Sequence, residues 1–155
     1  MDGGGGDEIS DGAVFVREGP FSGWMTWPDS DPFETLAGPY YFRKQADGTT
    51  ECAMVVEHKN LNGHGFAHGG ALMSFADFCL FALSRAHIVG TPAVTVSMNS
   101  EFLGTAMPGD TVICRGEVTR GGGNLVFARG LLLVKEKPIF TFSGVIKRLK
   151  PRPKP

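Results

Sequence analysis

From Ala71 to Leu83 the chain is apolar on nearly every side, and Asp77 is the one charged residue inside that run. A segment apolar all round predicts a helix enclosed in a core. The glycine-rich stretch Asn62-Gly63-His64-Gly65-Phe66-Ala67-His68-Gly69-Gly70 leads into it, and Arg85 follows it. On either side the pattern changes to short alternating runs. Tyr40 to Lys44 and Thr50 to Glu57 read as strands around Ala46-Asp47-Gly48, where Asp-Gly marks a hairpin. Ala93 to Leu103, Thr111 to Arg120, Asn124 to Lys135 and Ile139 to Leu149 read as four more, with turns at Pro108-Gly109, Gly121-Gly122-Gly123 and Glu136-Lys137-Pro138. Asp31 as an N-cap, Pro32 at the first helical position, Glu34 placed for a capping box and Gly38 as a stop predict a short helix over 32–37. One long enclosed helix followed by an antiparallel run of strands is an α+β arrangement.

The termini depart from this pattern. Residues 1–11 are rich in Gly, Asp and Glu and have little to bury, so they are expected to be a disordered tail. Residues 12–30 carry Phe15, Phe21, Trp24 and Trp27 between Gly19, Pro20, Gly23 and Pro28, which predicts an irregular extension packed on the domain. The domain proper is expected over 31–149, with a basic tail over 150–155. A length of 155 residues suits one domain, and 42% hydrophobic with 20% charged residues is ordinary globular composition. A net charge of −1 gives no reason to expect a nucleic-acid partner. Cys52, Cys79 and Cys114 lack a C-x-x-C or zinc spacing and read as reduced core residues. No secretory signal is visible, and the longest apolar run, broken by Asp77 and bounded by His68 and Arg85, is expected to fall short of a membrane span. The expected location is cytoplasmic.

Asp77 is the first candidate for chemistry, because an unpartnered buried carboxylate is costly and burial makes it a stronger base. The glycines before the helix are the second: Gly69 and Gly70 leave backbone N–H groups at a helix N-terminus open to a polarised carbonyl oxygen. His64 and His68 have the spacing of a helical metal pair, but the surrounding glycines oppose a helix there and no Glu follows His64. Gly63-x-Gly65 fails as a dinucleotide loop because His68 stands where the third glycine belongs.

Asn62-x-x-Gly65-x-x-His68-Gly69-Gly70 followed by Asp77 resembles the signature of the hotdog-fold acyl-CoA thioesterases, in their phenylacetyl-CoA and hydroxybenzoyl-CoA thioesterase-like branch. Val94-Thr95-Val96-Ser97-Met98-Asn99-Ser100-Glu101-Phe102-Leu103 and Pro108-Gly109-Asp110 resemble the family's strand after the helix and the turn that closes it. The resemblance implies a curved antiparallel sheet wrapped around the long helix, and edge-to-edge dimers that pair into tetramers. It implies active sites at the dimer interface and an acyl-CoA substrate, with no metal or redox cofactor. It also implies that the Gly69 N–H polarises the thioester, that Asp77 is general base or nucleophile, and that Thr95 serves the water or the carboxylate. Asn62 and His68 would orient the loop and the thioester. Gly70, Met73, Ser74 and Phe81 are candidates for the acyl pocket, and Arg85, Arg120, Arg129, Lys147 and Arg148 for the phosphates of coenzyme A. Gly104-Thr105-Ala106 departs from the family's usual Pro-Ala step, which opens the question of how that strand ends.

Two other readings use the same scaffold. Hotdog hydratases resemble one another in an Asp shortly before the loop His, and the residue five before His68 is Gly63. A non-catalytic acyl-CoA-binding protein is the other; residues 1–38 are too short and irregular for the appended DNA-binding module a sensor would carry.

Overall fold

A computed structural model describes residues 11–28 and 31–151. Its elements are β1 (Val14–Phe15), β2 (Met25–Thr26), α1 (Pro32–Ala37), β3 (Tyr41–Lys44), β4 (Thr50–Val55), α2 (Gly69–Ile88), β5 (Ala93–Phe102), β6 (Thr111–Gly122), β7 (Leu125–Val134) and β8 (Lys137–Arg148). The strands form one antiparallel sheet of eight in the order β1-β2-β3-β4-β6-β7-β8-β5. The sheet curves around α2, which touches β4, β5, β6, β7 and β8. After β4 the chain therefore crosses the sheet through α2 and returns at the far edge as β5.

Leu72, Phe75, Ala76, Phe78, Cys79, Leu80 and Ala82 give α2 its buried surface, against Phe42, Met54, Val112, Val126, Leu132, Phe140 and Ile146 from the strands. The sheet comes this close because glycines face the helix. A Cβ on Gly144 of β8 would overlap the Leu80 Cδ1 methyl, and one on Gly116 of β6 would lie 2.7 Å from Leu83 Cδ1. By length and composition alone α2 would suffice to cross a membrane, contrary to the expectation that it falls short; it is the core helix of this domain.

Several boundaries moved. The segment read as irregular contributes β1 and β2, which extend the sheet beyond β3, with Trp24 and Met25 buried. Trp27 stacks on Phe42 at 4.4 Å and meets Phe78 edge-on at 5.3 Å. Residues 1–10 and 152–155, expected as tails, lie outside the described residues, as do 29–30. Asp11, grouped with the tail, pairs with Arg85 of α2, whose Nη2 donates to its Oδ1 at 3.1 Å. Gly121 and Gly122 belong to β6, so that turn shrinks to Gly123 and Asn124. The last turn sits at Lys135 and Glu136, both at positive φ, and Lys137 and Pro138 already belong to β8. A two-residue connection with both φ positive matches the twist of the strands it joins, which the Gly/Pro signal two residues later did not indicate.

The three cysteines converge. Cys52 and Cys114 face each other across β4 and β6, Cys79 comes from α2, and all three sulfurs lie within 4.8 Å of one another with no exposed surface. Burial pushes the Cys52 and Cys79 thiols well above their usual range.

Candidate active site

The loop before α2 is held by side chains that close on its own backbone. Asn62 Oδ1 accepts from the His64 N–H at 2.9 Å and from the Phe66 N–H at 3.4 Å. The Ala67 N–H donates to the Ala106 carbonyl at 2.8 Å, and the Leu103 and Gly104 N–H groups both reach the Ile139 carbonyl. The Gly104-Thr105-Ala106 departure thus ends β5 by turning it onto this loop. Asn60, a residue the sequence reading passed over, is buried there: its Nδ2 donates to the Ala37 carbonyl at 2.9 Å, and its own carbonyl accepts from the His68 N–H at 2.7 Å. It ties the end of α1 to the start of α2. Only its position between two elements shows this role, so no local motif could have found it.

His68 is the N-cap of α2, with its Nδ1 accepting from the Gly70 N–H at 2.8 Å. The Ala71 and Leu72 N–H groups turn back to the His68 carbonyl. Among the described residues, nothing accepts from the N–H of Gly69. One donor at the positive end of a twenty-residue helix is left open to a ligand. The Phe102 ring lies over this glycine, 3.1 Å from where a Cβ would stand. Gly70 and Ser74 line a groove here with His68, Phe33, Leu36 and Leu61, and the Ser74 hydroxyl is occupied by the Gly70 carbonyl at 2.7 Å.

Asp77 occupies a different place. It is half-buried, not enclosed as its apolar neighbours suggested, because its face of α2 looks into a cleft of about 840 Å³. Thr95 Oγ1, reaching inward from β5, donates to Asp77 Oδ1 at 2.6 Å. The alternation of β5 leaves Val94 and Val96 exposed while Thr95 points at the helix. Phe81 lines the same cleft, with Trp27, Glu34, Ile88 and the Asp11–Arg85 pair. Met73, one turn before Asp77, is 42% exposed.

The candidate residues therefore fall into two groups: Asn62, His68, Gly69, Gly70 and Ser74 at the start of α2, and Asp77, Phe81 and Thr95 farther along it. Eight residues of helix separate Gly69 from Asp77, about 12 Å along the axis and most of a right angle around it. A thioester carbonyl bound to the Gly69 N–H of one chain is out of reach of the same chain's Asp77.

Of the expected phosphate ligands, Arg85 is engaged by Asp11, Arg129 by Glu117, and Arg148 by the His87 and Gly123 carbonyls; Lys147 and Arg148 line a separate surface hollow with Lys150. Among the described residues, the three cysteine sulfurs are the group close enough to hold a soft metal ion. Burial raises the Cys52 and Cys79 thiols; at Cys114 burial acts in the same direction but hydrogen bonds from these two outweigh it and pull that thiol down to about 6, so any negative charge in the cluster falls on Cys114.

The sequence profile described as the thioesterase superfamily matches residues 64–137. A Pseudomonas aeruginosa protein provisionally named an esterase is 32% identical over 117 residues, covering 75% of this chain and 87% of its own. Human acyl-coenzyme A thioesterase 13 is 29% identical over 99 residues, 61% of this chain and 68% of that one. Among solved structures, a mutant form of the phenylacetic acid degradation protein PaaI from Thermus thermophilus superposes with a TM-score of 0.66 at 28% identity, covering 77% of this chain and 100% of that one.

Proposed function

The chain belongs to the thioesterase superfamily and is a thioester hydrolase with the hotdog fold of the PaaI-like members; from that premise we propose that it cleaves acyl-CoA thioesters at sites shared between two copies. The Thr95–Asp77 hydrogen bond, set about 12 Å along α2 from the open Gly69 N–H, carries this reading. Each copy offers an oxyanion donor at the start of its helix and an oriented carboxylate near the middle of it, so two antiparallel helices supply two complete sites. The edge strand β5 is the surface through which they meet: its outer edge has no partner strand among the described residues, and it exposes Val94, Val96 and Phe102.

In this site the thioester oxygen accepts from the Gly69 N–H of one copy. Asp77 of the other removes a proton from water as its oxygen bonds to the acyl carbon, and the oxyanion that forms is held by Gly69 and the helix dipole. Such a donor is worth about 2.7–4 kcal/mol to the transition state. Thr95 occupies one carboxylate oxygen of Asp77, and the cleft that Asp77 lines has room for water, which supports the base over the nucleophile. Hydrolysis of this kind needs no metal or redox cofactor; coenzyme A enters as part of the substrate. A cytoplasmic location completes the proposal, since three unpaired thiols suit a reducing compartment.

The test is thiol release from short, medium, long-chain and aryl acyl-CoA thioesters. Because the protein's own thiols are buried, a thiol-reactive chromophore reports coenzyme A. Wild type is expected to turn over at least one of them, and Asp77→Asn to lower kcat by about 10²–10⁴-fold with its thermal melt retained. Full activity in that variant would sink the role of Asp77, and inertness of wild type toward all thioesters would sink the acyl-CoA assignment.

A further inference from the structure

Glu34 does not close the capping box its position suggested. Asp31 Oδ1 alone caps α1, accepting from the Phe33 and Glu34 N–H groups at 3.0 Å each. The Glu34 carboxyl turns instead into the cleft that holds Asp77 and Thr95. On its other side it lines a cavity of about 190 Å³ with Trp27, Tyr40 and Phe78. Among the described residues it has no hydrogen bond and no ion pair.

The groups around it are of one sign. Asp31 faces it from the cap of α1 and Asp77 from α2; Tyr40 stands on the inner side, its hydroxyl buried and without a partner. Among the described residues, the one cation lining the cleft, Arg85, is taken by Asp11. A half-buried carboxyl among carboxylates, with no free cation among the described residues to offset them, keeps its proton to higher pH than an exposed one. Burial first, and then Asp31 and Asp77, push Glu34 up to about 7, so that close to half of it carries a proton at neutrality. The Asp77 carboxylate accepts a hydrogen bond from the Thr95 hydroxyl. The cleft therefore holds two carboxyls in different surroundings, Glu34 without a hydrogen-bond partner among the described residues and Asp77 bonded to Thr95.

We propose that Glu34 is the general acid of this site, giving its proton to the sulfur of the departing thiol. The proposal rests on the hydrolase reading and adds the residue that reading lacks. Asp77 takes a proton from water as the carbon–oxygen bond forms. The tetrahedral intermediate collapses, the carbon–sulfur bond breaks with its electron pair on sulfur, and the Glu34 proton moves to that sulfur, leaving a carboxylic acid and a neutral thiol. Transfer of the proton from Asp77 to Glu34 across the cleft restores both groups, so that one water and one thioester yield one acid and one thiol.

A general acid matters in proportion to how poor the leaving group is, and that separates it from a structural residue. Glu34→Gln is to be compared with wild type on two thioesters of one acyl group, one releasing coenzyme A, an alkyl thiol, and one releasing an acidic nitrophenyl thiol. We expect kcat on the coenzyme A ester to fall by about 10²-fold and on the aryl thioester by less than about threefold. The fall of kcat/KM above about pH 7 on the coenzyme A ester is expected to disappear in the variant. Both substrates see the same protein sample, so a folding defect lowers both rates alike and leaves their ratio unchanged. Equal losses on both, or an unchanged upper limb, overturn the assignment of Glu34 and leave the hydrolase reading intact. Failure of wild type to release thiol from any coenzyme A ester overturns that reading and this one with it.

Discussion

Holding Glu34 half-buried beside Asp31 and Asp77 without a cation stresses the folded state in a way the unfolded chain escapes. Below its ordinary value of 4.5 the carboxyl is protonated in both states; between 4.5 and about 7 only the folded state keeps the proton; above that neither does. The folded state binds the extra proton, so the stability that Glu34 contributes is fully present below 4.5 and is lost as pH rises through about 7. The full linkage amounts to about 3 kcal/mol, and screening of a side chain in contact with solvent reduces it to about 1–2 kcal/mol. Glu34→Gln has no such charge to lose. Urea melts at pH 5 and pH 8 are expected to show wild type losing about 1–2 kcal/mol that the variant keeps. A variant more stable at pH 8 and slower on coenzyme A esters would mark Glu34 as a residue retained for chemistry at the expense of the fold. Asp31, at the cap of the same helix, does what local rules require of it, because its side chain bonds only to the N–H groups two and three residues on.

The helix and the strands depend on small residues at their contact. β8 passes α2 at Gly144, where the Leu80 methyl fills the space a side chain would need and the Ser97 carbonyl of β5 lies 3.0 Å away. Neither neighbour has room to yield, since Leu80 is fully buried and β5 is paired to β8 along most of its length. Gly144→Ala is expected to destabilise the domain by about 1–3 kcal/mol through overpacking, read as a lower urea midpoint with an unchanged slope. Alternation identified these strands well, because side chains at every second position fall on one face whatever the partner strand is. Their ends and the β1 and β2 additions were less legible. Two-residue strands carry no period, and Gly19, Pro20 and Gly23 mark the turn between them as strongly as they would mark an irregular segment.

At the scale of the whole molecule, the separation of Gly69 from Asp77 along α2 supports the proposal that one chain contributes half of each of two sites. Gly69→Pro removes the N–H at the first helical position, where the backbone accepts proline because His68, at φ −65° and ψ 138°, already has the conformation a following proline demands; the exposed Phe102 ring, 3.1 Å from where the new Cβ would stand, has to move aside. Alone, this variant and Asp77→Asn are each expected to be inactive. Unfolded together in equal amounts and refolded, they form mixed dimers in which one site combines an intact Gly69 with an intact Asp77, which returns about a quarter of the wild-type activity per site. No recovery, with mixed dimers shown to form, would place both residues of each site on the same chain.

The sequence by itself determined the order of the elements from α1 to β8, the enclosed helix and the glycine loop before it, and it identified Asp77 as a candidate, while Thr95 was implied by the family resemblance. The elements depend on periods of 2 and 3.6 residues and on glycine placement, which are local properties of a chain. Only the tertiary structure decided which way Glu34 turns, that Asn60 joins α1 to α2, that three distant cysteines meet, and that Asp77 lies on an open cleft. Each of these depends on which residues far apart in sequence are packed together. A carboxylate written among phenylalanines can face solvent, because a helix buried on one side still has another.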